Sequence, residues 1–202
     1  MAKINKSTQE IERRWLLKEI PKEINLKNLS FTEISQSYLS KKPVIRLRSH
    51  DKKEFVLCIK TQGDKKSLAR PETEVAISQK EYQSLMRKSI TEPIVKKRYF
   101  FKYKKLTIEL DVFFGYLSGL IVIEAEFKSE KQAVSFVAPE WFGEEITGIK
   151  KYANSSLAKL KQNDIYNLRK ELIDYQLNIF IEPTKKQIEI AERLVDIYLK
   201  NY

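Results

Sequence analysis

Cysteine and histidine are almost missing from this chain: Cys58 and His50 are the only ones. A single cysteine rules out an internal disulfide framework and fits a reducing compartment. Cys58 lies inside the apolar run Phe55 to Lys60, which predicts a buried structural thiol. His50 sits in the polar stretch Ser49-His50-Asp51. Zinc chemistry built on imidazoles, and Ser/His/Asp catalysis, therefore have almost no material. Glycine is also scarce, at five scattered positions, and no GxxxxGK[ST] loop occurs. Any phosphate must be held by side chains. No run approaches 18 apolar residues and the N-terminus has no apolar signal core, so the expectation is a soluble, cytoplasmic chain with no membrane partner.

Charge is abundant. The 202 residues carry a net charge of +11, which favours an anionic partner without separating nucleic acid from small polyphosphates. Hydrophobic residues make up 42% of the chain, enough for a real core, and the length suits one domain with a small appendage.

The arrangement of charge is more informative than its amount. Seven strand-like segments carry it at alternate positions, mostly sorted by sign. They hold Glu10/Glu12 (then Arg14), Arg46/Arg48, Lys60, Glu72/Glu74, Lys96/Arg98, Glu109/Asp111 and Glu124/Glu126. Residues i and i+2 of a strand share a face. Such a face would gather eight carboxylates and six cations. A solvated sheet face also alternates polar and apolar residues, but solvated faces mix signs, because like neighbours repel. Glu124 and Glu126 also follow the apolar run Leu120 to Ile123, which places them away from bulk water. Sorted charge of this kind suits metal ions together with a highly charged anion.

Strands are expected near 9–17, 34–40, 43–49, 53–60, 70–77, 93–102, 105–113 and 120–127, several joined by hairpin-length polar links. Helices are expected over 78–89, where Ser78 and Glu81 have the capping-box spacing, and over 129–137. Two more are expected beyond the sheet, over 165–176 and 184–199. The second carries an apolar stripe of Ile188, Ala191, Val195 and Tyr198. Trp15, Trp141 and Phe142 are expected to pack in the core or wall rather than to stack bases. The fold class is mainly β (α+β): an eight-stranded antiparallel closed barrel, charged inside, with flanking helices and a helical C-terminal extension. Residues 1–158 would form the domain and 159–202 the extension.

The sequence Glu10-Ile-Glu12-Arg-Arg14 resembles the ExExK signature of CYTH domains, the triphosphate tunnel metalloenzymes, with Arg14 in the lysine position. The resemblance continues in order. Its further segments are Gln36-Ser-Tyr38-Leu39, Ile45-Arg46-Leu-Arg48, Leu57-Cys-Ile-Lys60, Arg70-Pro-Glu72-Thr-Glu74, Lys96-Lys-Arg98-Tyr99, Glu109-Leu-Asp111 and Glu124-Ala-Glu126. It ends with Pro139-Glu-Trp141-Phe-Gly143 and Tyr152-Ala-Asn154. The chain is most similar to compact bacterial members that hydrolyse inorganic triphosphate.

That resemblance implies a tunnel in which lumen cations hold a linear triphosphate and lumen carboxylates hold Mg²⁺ or Mn²⁺. It implies Arg14, Arg46, Arg48, Lys60 and Arg98 as phosphate clamps. Glu10, Glu12, Asp111, Glu124 and Glu126 are the first choices for metal. Glu72, Glu74 and Glu109 are further acidic site positions. Lys96 is implied as the base that activates water, with Tyr38 orienting it. Lys96 as another clamp, and Tyr38 as a packed aromatic, are the rival roles. The expected partner is a small triphosphate and not a nucleic acid, and the chain is expected to be a monomer or homodimer. Adenylate cyclase, thiamine or RNA triphosphatase, and a non-catalytic polyphosphate-binding module are the competing activities.

Overall fold

The computed structural model describes residues 8–21, 24–60 and 69–179. Eight strands dominate: β1 (Thr8–Leu16), β2 (Phe31–Lys41), β3 (Val44–His50), β4 (Glu54–Lys60), β5 (Ala69–Ile77), β6 (Ile94–Tyr103), β7 (Leu106–Phe114) and β8 (Ile121–Glu126). All pair antiparallel in the order β1-β5-β4-β3-β2-β6-β7-β8, with β8 pairing back onto β1. The two ladders of β1 do not overlap: Thr8 to Ile11 bond β5, and Glu12 to Leu16 bond β8. The protein is thus a mainly β, eight-stranded antiparallel sheet with few helices.

The hairpins explain the short links. Between β3 and β4, Asp51 and Lys52 both have positive φ (51° and 56°), and the Lys53 amide donates to the His50 carbonyl. That is the backbone of a type I′ turn, whose twist matches its strands. Neither residue is glycine. Asp51 carboxylate oxygen accepts the Glu33 amide at 2.8 Å, which ties the turn to β2.

Helix α1 (Gln79–Met86) starts at Ser78, which accepts the Glu81 amide while the Glu81 carboxylate accepts the Ser78 amide. The predicted capping box is formed. Helix α2 (Glu130–Ser135) starts at Ser129 and is shorter than expected, its end leaving Phe136 extended. Phe136 instead turns its ring onto Trp15, Phe127 and Phe142.

The apolar side of β1, β7 and β8 faces the main core. Trp15, Ile108, Leu110, Ile123, Ala125, Ala133 and Phe142 are all buried there, as predicted for Trp15 and Phe142. Trp141 is half-buried, edge-on to Phe142. The segment after α2 returns over β1: Leu16 donates to the Glu144 carbonyl, and Ile146 donates to the Arg14 carbonyl. A short helix α3 (Asn154–Leu157) follows.

The chain divides into two units, residues 1–161 and 162–202. In the second, α4 (Gln162–Ile179) extends the helix expected over 165–176 at both ends and buries Leu168 and Leu172. The helix expected over 184–199 lies outside the described residues.

Candidate active site: a charged sheet face

The strand register determines which side chains share a face, because directly paired residues point the same way. Starting from β1, Glu12 pairs with Glu126 and Arg14 with Glu124. Glu124 pairs with Glu109, and Asp111 with Arg98. Across β2 and β3, Gln36 pairs with Arg48 and Tyr38 with Arg46. Arg46 pairs with Cys58, Cys58 with Glu74, and Lys60 with Glu72. Glu10 lies opposite Arg70 in the β1–β5 ladder; its side chain is outside the described part. The register therefore puts the charged positions whose side chains are described on one face.

One end of this face is a compact ion-pair network. Lys96 and Asp111 are both at 0% exposure and salt-bridged to each other. Arg98 closes on the same carboxylate, with Nε and Nη2 each 2.8 Å from Asp111 oxygens, and also pairs with Glu109 and Glu124. Arg14 Nε bonds Glu124 at 2.8 Å, and its Nη1 reaches the Tyr152 carbonyl at 3.1 Å. Burial opposes charge on Arg98, but Asp111 and Glu124 outweigh it and hold the guanidinium firmly protonated. Burial likewise opposes charge on Glu124, and Arg98 and Arg14 overcome it. Lys96 differs: burial first, and Arg98 second, push its ammonium down to about 8, against the pull of Asp111.

A second cluster lies across the face. Arg46 Nη2 is 2.7 Å from Glu72 and 2.9 Å from the Cys58 sulfur. Lys60 pairs with the other Glu72 oxygen. The Cys58 sulfur lies 2.5 Å from a Glu72 oxygen and 3.0 Å from a Glu74 oxygen, which share its one proton, and burial pushes its thiol up to about 12. Cys58 is buried, as expected for a structural thiol, and it stands on the charged face, two positions before Lys60 in the strand period.

Between the clusters stands Arg48. Among the described residues it has no carboxylate partner; its Nη2 donates to Gln36 Oε1 at 3.4 Å and its buried Nε has no partner. Burial, then Arg46 and Arg98, make its charge costly. Tyr38, 3% exposed, lies among the same cations; burial raises its hydroxyl above the usual phenol range, against the pull of Arg46, Arg48, Lys60 and Arg14. Gln36, fully buried beside both, was visible in the sequence only as part of a motif with no role attached.

The carboxylates at the β1–β8–β7 end crowd together as the oxygen donors of a hard-cation site do. Glu12 lies directly opposite Glu126, and neither has an ion-pair partner among the described residues. Glu124 lies opposite Glu109, shared by one Arg98. Opposed like charges destabilise a ladder unless a cation intervenes. Burial pushes the Glu109 carboxyl up to about 7, against Arg98, with Glu124, Glu126 and Asp111 adding to the rise. Partial desolvation, then Glu12 and Glu124, also raise Glu126, against the pull of Arg98. Crowded oxygen donors of this kind fit Mg²⁺ or Mn²⁺. Glu126 is exposed, so only Glu124 of that pair is shielded from water as expected. The carboxylates of Glu72 and Glu74, with the Cys58 sulfur, form a separate group whose donor atoms lie within 4.8 Å of one another.

Sheet and site define a class. Residues 8–162 match the CYTH domain family, and the chain belongs to that family. An inorganic triphosphatase of Nitrosomonas europaea is 35% identical over 153 residues, 74% of this chain and 96% of the relative. An inorganic triphosphatase of Acetivibrio thermocellus is 30% identical over 123 residues, 60% of this chain and 76% of the relative. A crystal structure of an inorganic triphosphatase superposes with a TM-score of 0.57 at 32% identity, covering 78% of this chain and 99% of that one. No helix among the described residues is long and apolar enough to cross a membrane.

Proposed function

We propose that this chain hydrolyses inorganic triphosphate to pyrophosphate and phosphate with a divalent metal ion, inside a tunnel enclosed by the eight strands. One observation carries the reading: Arg48, a largely buried arginine on a face crowded with charge, has no carboxylate partner among the described residues. A buried guanidinium is stable only when paired. A polyanion threaded along this face would supply the pair. The similarity to two inorganic triphosphatases supports the same substrate.

Arg46, Arg48, Lys60, Arg14 and Arg98 hold the phosphate oxygens. Arginine forks match two oxygens at once, and Lys60 acts as a point charge. Glu10, Glu12, Asp111, Glu124 and Glu126 would hold the metal, with Glu109 beside them. Bound there, Mg²⁺ or Mn²⁺ would supply positive charge to the phosphate oxygens. With all groups ionised, the face alone carries eight carboxylates against six cations, so metal is also a condition for binding an anion.

Lys96 accepts the proton of the attacking water at Nζ. Its position suits this: fully buried, held by Asp111 and crowded by Arg98. Tyr38 orients that water. The water oxygen bonds the terminal phosphorus while the phosphoanhydride bond breaks, and pyrophosphate leaves with the electron pair. Glu72 and Glu74 set the positions of Arg46, Lys60 and Cys58. Residues 1–158 form this catalytic domain and 159–202 a helical extension. The protein acts in the cytoplasm.

The deciding experiment is steady-state turnover of a substrate panel with separate readouts for phosphate and pyrophosphate. Inorganic triphosphate should be the best substrate, yielding one of each. Preferred ATP turnover or cyclic AMP formation would replace this reading with a cyclase or nucleotide triphosphatase. Tight binding with no turnover would leave a polyphosphate-binding module.

A further inference from the structure

Gln36 lies in β2 directly opposite Arg48 and two positions before Tyr38, at 0% exposure. Its side chain touches both. Arg48 Nη2 donates to Gln36 Oε1 at 3.4 Å, and Gln36 Nε2 donates to the Tyr38 hydroxyl oxygen at 3.3 Å. The orientation of this amide follows from chemistry. A guanidinium can only donate, so the amide oxygen must face Arg48. The amide NH₂ then necessarily faces Tyr38. A phenol oxygen that accepts this bond still has its own proton to give.

The rest of Tyr38 is held independently. Its amide donates to Thr91 Oγ1 at 3.1 Å, and its carbonyl accepts from the Ile90 amide at 2.9 Å and the Ser89 hydroxyl at 3.3 Å. The ladder to β3 shifts register just beyond it, between Tyr38 and Ser40. The backbone is therefore set by residues 89–91, and the direction of the hydroxyl is left to Gln36. Both amide contacts are longer than an ordinary N–H···O hydrogen bond. Bonds of this kind tighten when a substrate completes the site.

We infer that Gln36 is a positioning residue: its amide makes Tyr38 a hydrogen-bond donor toward the reacting groups and holds the Arg48 fork toward the phosphate chain. The inference rests on the triphosphatase reading and deepens it. It makes a distinctive forecast for Gln36→Glu. A carboxylate accepts on both oxygens. It would neutralise Arg48, and it would turn the Tyr38 proton onto itself. This variant should be stable and poor in turnover, whereas a merely structural role ties the two together.

The test compares wild type, Gln36→Met, Gln36→Glu, Tyr38→Phe and the Gln36→Met/Tyr38→Phe double variant. Each is assayed for kcat and KM on inorganic triphosphate with Mg²⁺, and for urea unfolding without substrate. Gln36→Met should lose about tenfold or more in kcat/KM, since it removes both hydrogen bonds of the amide. The double variant should lose less than the product of the two single losses, because Gln36 acts in part through Tyr38 and in part through Arg48. Gln36→Glu should be less active than Gln36→Met yet unfold at the wild-type midpoint or above. Wild-type kcat/KM in Gln36→Met overturns the inference. So do losses that multiply in the double variant, or activities that follow the unfolding midpoints. If Gln36→Met does not fold, the activity and midpoint of Gln36→Glu decide. A wild type inert toward inorganic triphosphate overturns the function itself, and this inference with it.

Discussion

Lys96 and Asp111 meet as an ion pair with no solvent exposure on either side, and Arg98 takes both oxygens of the same carboxylate. One buried anion thus holds two cations. Removing Lys96 leaves Asp111 paired with Arg98, so Lys96→Ala should stay folded. Its kcat should fall by about 10² to 10⁴, the range for a lost general base, with KM little changed. Single-turnover rates on the purified variant check this. A modest rise in KM with kcat intact would make Lys96 a clamp.

Arg48 and Arg98 should respond oppositely to truncation. Arg98→Ala leaves Asp111, Glu109 and Glu124 short of a partner, and breaking a buried pair costs about 3–5 kcal/mol. Arg48→Ala removes a half-buried cation that has no carboxylate partner among the described residues. It should unfold at the wild-type urea concentration or above, while binding triphosphate far more weakly. Arg48→Ala as unstable as Arg98→Ala would show that Arg48 has a structural partner.

Metal should act on stability as well as on turnover. Ligand present at 100 times its Kd stabilises by about 2.7 kcal/mol. Mg²⁺ or Mn²⁺ should therefore raise the thermal midpoint, and chelator should remove both that rise and the activity. Glu126→Gln relieves the repulsion between Glu126 and Glu12. It should match or exceed wild type without metal and respond less to added metal. Turnover that survives exhaustive chelation would end the metal mechanism.

The extension should be dispensable for chemistry, because every candidate site residue lies at or before Glu126. Truncation after Lys161 should keep kcat on inorganic triphosphate, and its thermal midpoint and light scattering would report any role in stability or self-association. Loss of turnover in a still-folded truncation would show that residues 162–202 contribute to the site.

Much of this protein follows from period and local chemistry. Alternation of charge at Glu10/Glu12, Arg46/Arg48, Lys96/Arg98 and Glu124/Glu126 identifies strands and the face they share, because side chains alternate strictly along a strand. Ser78 and Glu81 announce the start of α1, since a cap needs only residues three apart. The turn at Asp51-Lys52 was legible by its length but not by its conformation, lacking glycine.

Tertiary structure decided the pairing. Arg98 finds three carboxylates and Arg48 none among the described residues, although both look alike in sequence. Only cross-strand register brings Glu109, Asp111 and Glu124 around one guanidinium and leaves Gln36 opposite the other. Cys58 is buried as its strand position implies, but only register sets its sulfur against Arg46 and Glu72. The physical reason is range. Periodicity acts between neighbours two residues apart, whereas desolvation and charge pairing act between strands up to 110 residues apart, as for Arg14 and Glu124.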